Sequence, residues 1–168
     1  ATKSSLPASS PPPGGGAPIL LFSPHPDDEC LTGALPLRFR RESGRLVVNV
    51  AVTLGSRPER QAERWTECQA ACGRLGFLPR RLRDVPIPPL RPGLRNTQPA
   101  AWRELVGAAA ALLAEWRPAA VFLPHACDAH PAHAATYRLL LDALRAMPPD
   151  FACAVAETEF WSTLARPN

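Results

Sequence analysis

The four histidines of this 168-residue chain fall in two short segments that lie far apart in the sequence: P-H-P-D-D-E around His25, and P-H-A-C-D-A-H-P-A-H, which holds His125, His130 and His133. Each segment contains the pattern H-P-x-[D or H], as His25-Pro26-Asp27-Asp28 and as His130-Pro131-Ala132-His133. Proline starts a helix readily, because the N–H it lacks is one that the first turn leaves unpaired. The fourth residue of each pattern then sits in a first turn, with its side chain directed back along the chain. Two such helix starts placed side by side aim imidazoles and carboxylates at one point. Two neutral imidazoles and a carboxylate with an open fourth position form the donor set of a catalytic zinc. The best allocation is His25, Asp28 and His133 as ligands, one ion per chain, with iron or cobalt as substitutes. Asp27 is left without ligand duty and can take a proton from an activated water. His130 can polarise a carbonyl, stabilise an oxyanion or protonate a leaving amine. The chemistry is metal-assisted hydrolysis.

Around this set stand residues with two readings. Glu29 is a first-turn acid or a supporting partner of the ligands, and His125 is a pocket-rim residue. Arg64 and Glu67, one helical turn apart, read as a solvated ion pair, or Arg64 turns into the pocket and holds a phosphate or hydroxyl-rich group. Arg91, Arg95 and Asn96, in a proline-rich stretch, are candidates for substrate contact or solvated loop residues. Cys30 and Cys127 flank the motifs as small packing residues.

The elements that must position these groups follow from periodicity. The apolar run Pro18–Pro24 reads as a central strand buried on both faces. A helix opens at Pro26 and ends before Gly44, kinked or shortened at Pro36. Residues 45–54 form a second strand and 58–75 a helix stopped by Gly76. A weak strand is expected at Leu82–Ile87, then a proline-rich loop, a helix over 98–116, a strand at 119–123, a helix over 131–147 and a last strand over 151–160. Strands alternating with helices imply a doubly wound α/β fold with a parallel sheet. Ligands bind such sheets outside the carboxyl ends of the strands, where strand order reverses. With the first strand central and the 119–123 strand beside it, both histidine segments meet at that point.

Composition narrows the function class. The chain is 46% hydrophobic and 20% charged, without the run of about 18 apolar residues that a membrane span needs. Its net charge is +4, and since Lys3 is its one lysine, the basic excess is scattered arginine rather than a nucleic-acid-binding block. Residues 1–17, rich in Ser, Pro and Gly, read as a disordered tail or leader with no signal peptide, and the domain runs over 18–168. The expected setting is the reducing cytoplasm, with Cys30, Cys68, Cys72, Cys127 and Cys153 as free thiols.

At P-H-P-D-D-E, at Thr53-Leu54-Gly55, at R-W-T-E-C-Q-A-A-C-G-R-L-G over residues 64–76, at H-P-x-H from His130 and at E-T-E-F-W-S over residues 157–162, the sequence resembles the LmbE-like or PIG-L family of zinc-dependent N-acetylglucosaminide deacetylases. The resemblance covers nearly all of residues 18–168. It implies a Rossmann-like three-layer fold and removal of acetyl from an N-acetylated sugar conjugate. It also implies zinc on His25, Asp28 and His133, Asp27 as general base, and His130 supporting the tetrahedral intermediate. Two departures stand out. Ala132 occupies the place of the family's H-P-D-H aspartate, a loss that Asp128 can offset by orienting a histidine. The chain also stops at Asn168, where the family continues into segments that floor the pocket, so the domain reads as truncated. A non-catalytic sugar- or metal-binding relative is the alternative, with ester or phosphoester hydrolysis behind it.

Overall fold

The computed structural model describes residues 15–159, so most of the expected tail, together with Phe160, Trp161 and Ser162 of the last motif, lies outside the described residues. Strand β1 (Ile19–Ser23) is buried at every position. It is flanked in parallel by β2 (Val47–Ala51), with Ile19 opposite Val47, and by β4 (Ala120–Pro124), with Ile19 opposite Ala120. Strand β3 (Leu78–Arg81) extends the sheet beyond β2 and β5 (Ala154–Thr158) beyond β4, in the order β3-β2-β1-β4-β5, all parallel. The largely apolar character of β1, β2 and β4 follows from burial on both faces, with buried Ser23 and Asn49 satisfying each other at 2.7 Å.

One face packs against α5 (Pro99–Trp116) and α6 (Pro131–Arg145), where Leu20, Phe22, Val48, Val50, Val121 and Leu123 meet Leu105, Leu113, Leu139 and Leu140. The other face is covered by α1 (Asp28–Thr32), α2 (Ala34–Ser43) and α3 (Gln61–Leu75), where Ile19, Leu21, Val47 and Phe122 meet Cys68, Cys72 and Phe77. The short α4 (Leu94–Thr97) precedes α5. The result is the three-layer α/β/α sandwich expected. The five cysteines are free thiols. Among the described residues no helix is long and apolar enough to cross a membrane.

Two expectations are corrected. The first helix breaks at Gly33 and not at Pro36, which sits in the first turn of α2, where its missing N–H costs nothing. A Cβ at Gly33 would strike the Glu29 carbonyl oxygen, so glycine permits the tight α1–α2 join. The strand expected at 82–87 lies at 78–81, because Gly76, at φ 72°, ends α3 and sends the chain directly to the sheet edge. Leu-Pro-Arg-Arg looks unlike a strand, yet an edge position accepts proline and charge.

Candidate active site

The first histidine segment leaves β1 at Ser23 and is pinned from β2's side. The Val52 N–H donates to the Ser23 carbonyl at 2.8 Å, and the Thr53 N–H and Oγ1 both donate to the Pro24 carbonyl, at 3.0 and 2.9 Å. The chain then turns through Asp27, which adopts φ 109°, a conformation costing a non-glycine residue about 1–3 kcal/mol unless its surroundings hold it there. They do: the Asp27 N–H donates to buried Glu29 Oε2 at 3.0 Å, and Arg64 Nη2 donates to Asp27 Oδ2 at 3.1 Å and to the Pro26 carbonyl at 2.6 Å. Gly55, at φ 90°, makes room for that arginine, since a Cβ there would lie 2.6 Å from Arg64 Nη1. The strained turn points the Asp27 carboxylate into the open while the next residue, Asp28, is buried. Asp28 Oδ2 accepts the His25 N–H at 2.8 Å and lies 3.5 Å from His25 Nδ1.

The second segment leaves β4 at Pro124 and closes through Asp128, which is buried. Asp128 Oδ1 accepts the His130 N–H at 2.8 Å, and Asp128 Oδ2 lies 3.1 Å from Nδ1 of His133, itself 1% exposed. A carboxylate on Nδ1 assigns the proton to that nitrogen and makes Nε2 the nitrogen that can coordinate. Nε2 faces Asp28 Oδ2 at 3.6 Å. The carboxylate missing at Ala132 is thus matched by one at Asp128, reaching the same helix start from the preceding turn.

The two segments converge. The His25, His130 and His133 rings stand 4.8 to 5.4 Å apart, centre to centre, and one nitrogen from each lies within 4.8 Å of the others. Nitrogen donors at this spacing, with a buried carboxylate touching two of them, fit a divalent transition metal. The site opens into a cleft of about 710 Å³ lined by Asp27, Asp28, Leu31, Arg64, Arg91 and the three histidines, among others. Burial and the neighbouring His25 and His133 hold the His130 imidazolium below the ordinary histidine range, so the ring is neutral at pH 7. Partial burial, then Asp28, raises the Asp27 carboxyl above its usual value, against Arg64, which lowers it. Burial likewise raises Glu29, the acid that receives the Asp27 amide.

Other expected site residues disperse. Arg64 turns to Asp27 instead of pairing with Glu67, and Arg91 lines the cleft. Arg95 does not line it: its Nε lies 3.2 Å from Asp142 Oδ2 on α6, and exposed Asn96 is likewise absent from the cleft wall. His125 stands apart, 3.5 Å from Glu157 on β5. Gln61 was not anticipated; it lines the cleft and donates to the Gly55 carbonyl at 2.9 Å, its only sequence signal being that it follows Thr-Leu-Gly by one short turn.

The family model described as PIG-L, GlcNAc-PI de-N-acetylase, matches residues 20–144 and takes in both histidine segments. The chain belongs to the PIG-L family. Among curated proteins none matches it. The conserved protein TT1542 of Thermus thermophilus is 26% identical, superposing with a TM-score of 0.59 over 86% of this chain and 62% of its own. The N,N'-diacetylchitobiose deacetylase of Pyrococcus horikoshii is 22% identical at a TM-score of 0.60, over 80% of this chain and 52% of that one. GalB, the 4-carboxy-2-hydroxymuconate hydratase of Pseudomonas putida, is 18% identical at 0.62, over 85% and 64%. A deacetylase and a hydratase thus share the PIG-L fold, and fold alone does not select the reaction. This chain spans less than two thirds of the length of each of these relatives.

Proposed function

We propose that this PIG-L chain is a metal-dependent hydrolase that removes the acetyl group from an N-acetylated sugar, of the N-acetylglucosamine type. The observation that carries the reading is the placement of Asp27, exposed to the cleft by a strained turn, directly beside the buried donor Asp28 and the histidines. A site that only bound metal would have no use for that strain. The family description and the chitobiose deacetylase among its structural relatives support the same substrate class.

In this reading His25, Asp28 and His133 hold the ion, preferably zinc, with Asp128 fixing the His133 tautomer. The ion supplies Lewis-acid polarisation of the amide and lowers the pKa of water. Asp27 takes the proton of the attacking water, with Arg64 holding its carboxylate in position. His130, neutral and at the cleft surface, hydrogen-bonds the oxygen of the tetrahedral intermediate through its ring N–H, and the proton that Asp27 took from the water passes to the departing amine. Arg91 meets the sugar.

The test is release of acetate and amine from N-acetylglucosamine conjugates by the metal-loaded protein. Turnover abolished by a chelator and restored by zinc supports the reading. A protein that takes up metal and deacetylates none of them is a non-catalytic binding relative instead.

A further inference from the structure

Beside the catalytic cleft lies a second cavity of about 550 Å³. The two share Thr53, Gly55, Pro58, Gln61, Pro86 and Ile87, so the loop after β2 and the loop after β3 border both and the cavities are immediate neighbours. The charged groups of the second cavity are Arg81, Arg83 and Asp84, two cations against one acid. Arg81 lies over the indole of Trp65, 5.3 Å from the ring centre, a stacking that holds the guanidinium in place before any ligand arrives. Both arginines are mostly withdrawn from solvent, at 34% and 27% exposure. Their acidic partners are not: Asp84, 2.7 Å from Arg81, is 85% exposed, and Glu104, 3.0 Å from Arg83, is 63% exposed. Pairs with so exposed an acid are weak and readily exchanged for a better anion.

We propose that this cavity is a second subsite, which binds an anionic group carried by the part of the substrate beyond the N-acetylated sugar, with Arg81 and Arg83 as its ligands and Trp65 as the platform that fixes Arg81. The inference rests on the deacetylase reading for what fills the first cleft, but the anion site stands on its own geometry. Phosphate and carboxylate share the chemistry that two guanidiniums recognise.

Three probes distinguish the sources: N-acetylglucosamine 1-phosphate, N-acetylglucosaminyl glucuronate and the neutral methyl N-acetylglucosaminide. The zinc-loaded protein is expected to favour at least one anionic probe in kcat/KM, and Arg81→Gln or Arg83→Gln to lower the anionic-to-neutral ratio about ten-fold. Arg83→Lys should restore part of it, since a point charge remains. Equal kcat/KM for all three probes, or a ratio that neither substitution moves, overturns the subsite. If none of the probes is deacetylated, the function proposed above fails, and calorimetric binding of the same probes decides the subsite alone: tighter anionic binding that weakens in both variants upholds it, and equal binding overturns it. Should the variants not fold, the salt dependence of the wild-type preference takes their place. An anionic preference that fades as salt rises from 0.01 to about 0.15 M supports the proposal, and one indifferent to salt overturns it.

Discussion

Adjacent carboxylates at positions 27 and 28 have opposite fates because one backbone angle separates them. Asp27, at φ 109°, projects into the cleft, and Asp28, in the first turn of α1, is buried against His25 and His133. Asp28→Ala should therefore lose metal, whereas Asp27→Asn should keep metal and lose 10²-fold or more of its turnover. Elemental analysis alongside an acetate-release assay separates the two, and equal metal loss in both would refute the division of roles. A second residue-scale prediction concerns Asp128, which accepts from the His130 amide with one oxygen and faces His133 Nδ1 with the other. An asparagine has one acceptor oxygen, so in Asp128→Asn one of these contacts becomes donor against donor. Metal affinity should fall about 10- to 100-fold. Ala132→Asp, by contrast, adds a carboxylate where the histidine is already oriented, and its affinity should stay within a few-fold of wild type. A large gain from Ala132→Asp, measured by competition with a chromogenic chelator, would show that Asp128 does not replace the missing group.

At the scale of elements, Asp27, the base of the proposed reaction, depends on a loop it does not belong to. Gly55, after β2, leaves the space through which Arg64 on α3 reaches Asp27 and Pro26. Gly55→Ala places a methyl against Arg64 and an L-residue at φ 90°. About 1–2 kcal/mol of stability should be lost through the backbone alone. Turnover should fall further than stability explains, while metal content remains. Comparison with Arg64→Ala tests this: the two variants should show similar kcat, and a Gly55→Ala enzyme with wild-type kcat would mean that Arg64 does not act through Asp27. The sheet carries the same logic. The side chains of β1 and β4 are packed on both faces, so the loops that follow them start from a rigid edge, whereas β5, at the sheet's margin, is largely exposed.

For the whole molecule, the proposed metal site couples ion binding to folding. Donors from the β1–α1 and β4–α6 junctions are brought together only in the folded chain, so an ion that binds there stabilises it by mass action, about 2.7 kcal/mol at a free concentration 100 times Kd. Tm should rise with added zinc and the rise should vanish in His133→Ala. An unchanged Tm on zinc addition to the wild type would deny the site a metal of useful affinity. His133→Ala should also be less stable without metal, because it empties a position that is 1% exposed.

The sequence by itself determined which donor groups the chain carries and where in the fold they lie. Histidine, proline and aspartate at fixed spacing define donors and helix starts through local backbone physics, and the largely apolar runs in β1, β2 and β4 mark a sheet buried on both faces. The order of these runs was enough to set the two segments at one sheet edge. Only the tertiary structure decided what depends on groups distant in sequence. Arg64 turns from Glu67 to Asp27 because Gly55 opens the way, and Arg95, outside the cleft, pairs with Asp142 on α6. The strand at 78–81 has no local signal, since its residues are held by pairing with β2 rather than by propensity. The strain at Asp27 is invisible in sequence for the same reason: an aspartate at positive φ persists only because Glu29 and Arg64, from two helices, over-determine its position.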